Sequence, residues 1–194
     1  MSRTNAFRPA RIDDADVLAE LVNYAGEGMP LYLWGKLASA GETAWDVGRL
    51  RAGRETGSFS YRNATIIEHA DHAAGSLIGY VIPEVVEPVP SDMPPMFVPL
   101  QELENLAPGT WYVNVLAVLS PYRSLGLGTE MLSLADKIGR EKGCRGMSVI
   151  VSNANRGARR LYQRLGYAET ATRPMVKEDW VNEGTQWVLL TKRT

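Results

Sequence analysis

The sequence predicts an α/β fold, and three features predict it. Thr110 to Leu119 (T-W-Y-V-N-V-L-A-V-L) is the longest β-rich run and reads as the central strand. An amphipathic helix follows, with Leu127, Met131, Leu134, Ala135 and Ile138 forming one apolar stripe at i, i+4, i+7, i+8 and i+11. Met147 to Val151 is then a second buried strand. Strand, helix, strand in that order is a βαβ unit, whose two strands run parallel.

The other elements follow from local chemistry. Ala6 to Pro9 reads as a short first strand interrupted by Pro9. Asp13 and Asp14 offer N-caps to a helix whose apolar face is Val17, Leu18, Leu21 and Val22, and Gly26 and Gly28 fit its stop. Pro30 restarts the chain with Leu31, Leu33, Trp34 and Leu37 as a second helical face. Gly41 breaks it, and a third short helix is expected from Thr43 to Arg54. Ala64–Glu68 and Leu77–Ile82 are β-rich and flank the polar stretch His69–Gly75, a hairpin with a loop longer than two residues. Prolines at 83, 88, 90, 94, 95, 99 and 108 exclude a long helix or a central strand between Pro83 and Pro108. That segment reads as an extended insertion over one face, with a short helix around Leu100–Leu106; a substrate lid, a dimer contact and mere packing are its open roles. Asn155 caps a last helix with the face Ala158, Leu161, Tyr162 and Leu165, ended by Gly166. Tyr167–Ala171 and Thr185–Thr191 finish as strands.

With 194 residues the chain suits one globular domain over 1–194, large enough for a substantial core. A formal net charge of -1 gives no global attraction to nucleic acid or to an anionic membrane. No run of about 18 apolar residues exists, so no transmembrane helix is expected. Met1 to Arg11 is polar and does not read as a secretory signal. Cys144 is the single cysteine, so no intramolecular disulfide is expected, and it reads as an unreactive, partly buried thiol. Together these favour the cytoplasm. No His/Cys cluster has metal-ligand spacing, so no metal is implied. His69 and His72 lie in or beside the polar turn and read as solvated loop residues.

The chemistry concentrates in Leu116–Gly128 (L-A-V-L-S-P-Y-R-S-L-G-L-G). An apolar strand turns at Ser120-Pro121 and passes through Gly126 and Gly128 into the amphipathic helix. Glycine lets backbone approach a ligand closely, and a helix start points free N–H groups and its positive dipole end into the turn. A phosphate or pyrophosphate is the expected occupant. A Walker A loop is excluded, because Thr129 and Glu130 follow Gly128 where Lys and Ser/Thr are needed. A dinucleotide fingerprint is excluded by Met131, which stands where a small residue is required.

What remains is R-x-x-G-x-G, carried by Arg123, Gly126 and Gly128 after a strand with A-V-x-x-P. A second block follows one strand later: N-x-x-A-x-x-L-Y-x-x-x-G-Y, with Asn155, Ala158, Leu161, Tyr162, Gly166 and Tyr167 in register. Both blocks, in this order, resemble the signatures of the GNAT superfamily of acyl-CoA-dependent N-acetyltransferases. The resemblance covers Trp111 to Tyr167 and fits the flanking elements more loosely; residues 24–60 and 83–108 lie outside it.

The resemblance implies a mixed, mostly antiparallel twisted sheet with helices on both faces, and acetyl-CoA as co-substrate. Arg123, Ser124, Leu125, Gly126, Leu127, Gly128 and Thr129 would cradle the pyrophosphate. Leu116, Ala117 and Val118, usually bulged in the family, would pair with the pantetheine amides as with an added strand. Asn155 and Ala158 would flank the pantetheine arm. An acceptor amine would attack the thioester directly, with a strand N–H near Val118 on the oxyanion and Tyr162 as the acid for the leaving thiolate. The loop joining the first two helices lines the acceptor site in the family, which makes Glu27 a group able to hold a cationic amine; Tyr24, Met29, Tyr32 and Trp34 read either as acceptor pocket or as core. Many members carry a glutamate on the central strand as base. Here Tyr112-Val113-Asn114-Val115 has none, and Asn114 can orient an amine or a water without accepting its proton. The base is therefore open between Glu27 and a water wire. Transfer to a small primary amine is the leading reading. Transfer to protein lysines or N-termini, and a non-catalytic acyl-CoA sensor, are the alternatives. Family members often dimerise, so a homodimer is an open expectation.

Overall fold

The computed structural model describes residues 5–86 and 88–193. Among these residues seven strands form one mixed sheet: β1 (Asn5–Pro9), β2 (Ala64–His69), β3 (His72–Val81), β4 (Thr110–Val118), β5 (Gly146–Ser152), β6 (Ala168–Pro174) and β7 (Gln186–Arg193). Their order is β1-β2-β3-β4-β5-β7-β6. Among the described residues six α-helices accompany them: α1 (Ala15–Ala25), α2 (Met29–Leu37), α3 (Ala44–Ala52), α4 (Val98–Glu104), α5 (Leu127–Glu141) and α6 (Arg156–Arg164). The chain divides into two compact units, one of residues up to Gly79 with Val115–Met131, the other of Tyr80–Asn114 with the chain from Leu132 onward.

In the first unit β1, β2 and β3 pair antiparallel. The β2–β3 hairpin departs from the expectation of a long loop. His69 pairs with His72, so the connection is the two residues Ala70 and Asp71. Both have positive φ, 51° and 65°, as a type I′ turn requires. Ala-Asp lacks the Asn-Gly signature, so the sequence hides a turn that the strand twist imposes. A core of Leu18, Ala19 and Val22 from α1, Trp34 from α2, and Val47 and Ala52 from α3 packs on Ala64, Ile66, Ile78 and Val115. Trp34 stacks on Phe59 at 5.8 Å and meets Trp45 edge-on at 6.2 Å, which makes it core. Asp14 does not cap α1 with its side chain. Its carboxylate accepts from the Arg11 N–H at 2.6 Å and from both terminal nitrogens of Arg8, so it serves the 3-10 turn just before the helix.

In the second unit the expected βαβ pairing is present: β4 and β5 run parallel from Thr110 opposite Gly146 to Val113 opposite Val149. β7 pairs antiparallel with both β5 and β6. α5 lies close to this sheet at Gly139, where a Cβ would sit 2.6 Å from Met147 Sδ and 3.3 Å from Trp111 Cβ. The proline-rich insertion is pinned at its ends. Ile82 N–H donates to Thr110 C=O, and Gly109 N–H donates to Ile82 C=O, both at 2.9 Å. Its helix, α4, starts at Val98, slightly earlier than the sequence suggests, and is anchored by fully buried Leu103.

Gly75 on β3 tests the packing around the C-terminal end of β4. An added Cβ would lie 2.6 Å from the Ala117 carbonyl oxygen, a backbone atom that cannot swing away, and 3.2 Å from Ile67 and Met131. Alanine normally gains about 0.5–1 kcal/mol over glycine in a strand; here overpacking outweighs it. Gly75→Ala should lower stability by about 1–2 kcal/mol, read as a drop in the urea midpoint at constant m-value.

Candidate active site

The first unit contains the phosphate-cradle candidate as a turn between β4 and α5. β4 ends at Val118, a 3-10 turn covers Ser120–Tyr122, and the backbone enters the left-handed region at Ser124 (φ 65°) and Gly126 (φ 85°) before α5 begins. The Gly126 carbonyl accepts from Thr129 N–H at 2.9 Å and from Glu130 N–H at 3.2 Å, and so starts the helix. The N–H groups of Leu127 and Gly128 precede any intrahelical acceptor, as at every helix start. Arg123, Ser124, Leu125 and Gly126 are exposed, whereas Leu127 is buried and anchors the first turn. No atom lies within 4 Å of where a Gly126 Cβ would be, so glycine serves the backbone angle here and leaves the space beside it open. Arg123 folds back on the turn: its Nε donates to Val118 C=O at 3.2 Å and its guanidinium lies 5.6 Å from the Tyr24 ring centroid. Tyr24 thus supports the loop arginine.

A polar chain missed at the sequence level holds this loop. Asn5 Nδ2 donates to Glu130 Oε1 at 2.7 Å, and Asn5 Oδ1 accepts from His69 Nδ1 at 2.7 Å. With the Asn5 amide in that orientation, the His69 proton is on Nδ1. The His69 ring meets Tyr122 edge-on at 5.9 Å. His69 is therefore buried, 8% exposed, and not a solvated loop residue. It lies inside β2 because the hairpin turn is so short. Glu68 and Asp71 beside it are polar, and no local pattern predicts that a residue 64 positions away would bond it.

The second unit holds the other predicted residues. Asn155 Oδ1 accepts from Ala158 N–H at 3.1 Å and caps α6. Tyr162 is buried on that helix, 5.7 Å from the Tyr167 ring. Burial raises the Tyr162 phenol above its usual range, which keeps it protonated throughout neutral pH. Asn114 is the one exposed residue of β4. Its amide acts to lower the phenols of Tyr80 and Tyr112, against the larger opposing effect of burial. Tyr80 donates to Glu104 Oε2 at 2.9 Å, and its ring meets Tyr112 edge-on at 5.3 Å. Glu104, Tyr80 and Tyr112 thus join Asn114 without any sequence signal that marked them. Burial pushes the Glu104 carboxyl up, against the opposing hydrogen bond from Tyr80, and pushes both phenols up. Glu27 sits in the first unit, in the turn between α1 and α2, with a left-handed φ of 52°. Cys144 is buried, and desolvation raises its thiol, as expected of an inert cysteine. Among the described residues no cluster of His, Cys, Asp or Glu could hold a metal ion, and no helix is long and apolar enough to cross a membrane.

Comparison with known proteins adds a family. The family model described as "Acetyltransferase (GNAT) family" matches residues 38–167, more than half of the chain. The N-alpha-acetyltransferase MAK3 of Arabidopsis thaliana is 38% identical over 56 residues, covering 29% of this chain and 30% of that protein. Among solved structures, an N-acetyltransferase from Staphylococcus aureus Mu50 superposes with a TM-score of 0.68 at 18% identity, covering 96% of this chain and 99% of that one. The NatC complex bound to Gag peptide and CoA gives 0.55 at 14% identity, covering 98% of each chain. At those identities the superpositions speak to fold alone.

The α6 cap has a measurable structural role apart from any ligand. Asn155→Ala removes the acceptor for the Ala158 N–H and should lower stability by about 1 kcal/mol. Asn155→Asp, an equally good cap, should hold the urea midpoint near that of the unsubstituted protein.

Proposed function

Because the chain belongs to the GNAT family of acetyltransferases, we propose that it moves the acetyl group of acetyl-CoA onto a primary amine by direct attack in a ternary complex. We read residues 1–194 as one such catalytic domain. The observation that carries the proposal is the turn into α5: an exposed, left-handed backbone at Ser124 and Gly126 that opens directly onto a helix N-terminus. That arrangement is a preformed receptor for a pyrophosphate.

The roles divide along the chain. The N–H groups from Arg123 to Thr129 take the pyrophosphate, and the Arg123 guanidinium, already steadied by Val118 and Tyr24, adds a cation. Leu116, Ala117 and Val118 offer backbone to the pantetheine amides. Asn155 and Ala158 flank the arm. The Val118 N–H is the donor assigned to the tetrahedral oxyanion. Tyr162, kept neutral by burial, gives its proton to sulfur as the C–S bond breaks. Glu27 and Asn114 receive the acceptor side. A second reading, acetylation of a protein N-terminus, draws support from the 56-residue likeness to an N-alpha-acetyltransferase.

Calorimetric titration of acetyl-CoA separates these roles. The wild type should bind; Gly126→Asp, which puts a carboxylate and a strained Cβ in the cradle, should not. Tyr162→Phe should keep the acetyl-CoA affinity within about twofold while turnover falls by roughly 10²–10⁴, the usual worth of an acid-base group. Absence of wild-type binding would refute the cofactor, and undiminished Tyr162→Phe turnover would remove the acid from the mechanism.

A further inference from the structure

An ammonium acceptor must lose a proton before it can attack, and β4 offers Asn114 in place of a carboxylate. The second unit holds a cavity of about 220 Å³ lined by Tyr80, Ile82, Val86, Met93, Gln101 and Glu104 among others. We propose that Glu104 anchors the acceptor amine and takes its proton, and that this cavity receives an apolar group carried next to that amine. The proposal rests on the acetyl-transfer reading above and adds the base and the acceptor class to it.

Four observations support it. The first is charge. Glu104 and Glu102 are two positions apart on α4, yet Glu102 pairs with Arg173 at 2.6 Å while Glu104 meets no Lys or Arg among the described residues. A half-buried carboxylate without a cation is costly, and an ammonium would compensate it. The second is geometry. The Tyr80 hydroxyl fixes one Glu104 oxygen, and an ionised carboxylate accepts about four hydrogen bonds, so capacity is left for a substrate N–H. The third is placement. Tyr80 bonds Glu104 and packs against Tyr112 of the central strand, two residues from Asn114, the one point where β4 is exposed. The fourth is size. About 220 Å³ is below the roughly 300 Å³ at which drug-sized pockets begin, and aliphatic side chains dominate the lining. Such a space suits a leucine-sized group.

The step balances. Glu104 takes one proton from the ammonium, and the freed lone pair forms the C–N bond at the thioester carbonyl. The C–S bond then breaks, Tyr162 protonates the sulfur, and its phenolate recovers the second nitrogen proton. The products are the N-acetyl amine, CoA thiol and one proton released from Glu104 to solvent.

Burial sets the working range of this base above that of an ordinary carboxylate. The groups facing it are the phenols of Tyr80 from β3 and Tyr112 from β4, both neutral near pH 7, while Arg173 of β6 is engaged by Glu102. The folded chain holds the Glu104 proton more tightly than the unfolded chain does. This group's contribution to stability is therefore lost as pH rises through its raised folded-state value. Glu104→Gln should consequently keep or raise Tm at neutral pH, a direction opposite to that of a purely structural carboxylate.

The test uses the full chain, acetyl-CoA, and three probes: leucinamide, glycinamide and a leucine-initiated tetrapeptide, followed by release of CoA thiol. Leucinamide should exceed glycinamide by about 10–100-fold in kcat/KM, the worth of a few methylenes in a fitted pocket. Met93→Trp should shrink that ratio. Glu104→Gln should bind acetyl-CoA as the wild type does, lose about 10²–10⁴ in kcat/KM for leucinamide, and lose the acid limb of the pH profile. Tyr80→Phe removes a bond that favours the ionised carboxylate, so its acid limb should move to higher pH; this variant carries the test if Glu104→Gln does not fold. Whichever of leucinamide and the peptide has the higher kcat/KM identifies the source of the amine. Acetyl-CoA binding with an unchanged Glu104→Gln pH profile, with a leucinamide-to-glycinamide ratio near one, or with no turnover of leucinamide and peptide alike would overturn this proposal. Failure of the wild type to bind acetyl-CoA would instead overturn the reading beneath it.

Discussion

The first unit depends on how one helix begins. α5 starts where Gly126, at φ 85°, turns its carbonyl back to Thr129 and Glu130. Arg123 to Leu125, just ahead of that carbonyl, are exposed, and behind it Leu127 and Met131 lead a buried stripe. A helix start needs an anion, a side-chain cap or water to satisfy its first N–H groups. The Glu130 carboxylate in this first turn is held by Asn5, and Asn5 is held by His69. This polar chain draws the acid sideways into hydrogen bonds with β1 and β2. The acid is thereby occupied, which ties a packing detail of the sheet edge to the anion site proposed for this turn.

The second unit is governed by a different constraint, the fate of buried polar groups. Tyr112 is buried and Tyr80 and Glu104 are partly so; Tyr80 satisfies Glu104 with a hydrogen bond, and its ring packs edge-on against Tyr112. Elsewhere in the same unit a buried pair is closed: Thr110 Oγ1 and Ser148 Oγ bond at 2.7 Å, and Thr110 Oγ1 reaches Ala107 C=O at the same distance. The contrast separates polar groups that join strands from a carboxylate that faces a cavity with no cation beside it among the described residues.

The sequence resolved periodic and capped elements well because their signals are local. The stripe of α5, the Asn155 cap of α6, and the order of β4, α5 and β5 can each be read within a few turns of chain. It erred where a residue's partner is distant in sequence or where twist decides a turn. Ala70-Asp71 carries no turn signature, so the tight hairpin and the burial of His69 were both hidden. Asp14 looked like a helix cap but is claimed by Arg8 and Arg11.

By itself the amino-acid sequence determined the family, the glycine-bearing turn into α5 and the tyrosine on α6, because each is carried by residue types at fixed spacing along one continuous segment. The fate of Glu104 was decided by tertiary structure alone. E-L-E in α4 presents two like carboxylates to any sequence reading; the chain gives one an arginine from β6 and presses the other against Tyr80 beneath a proline-rich strap. Proton affinity and ligand preference follow desolvation and neighbours across the fold, and neither is written in the local pattern.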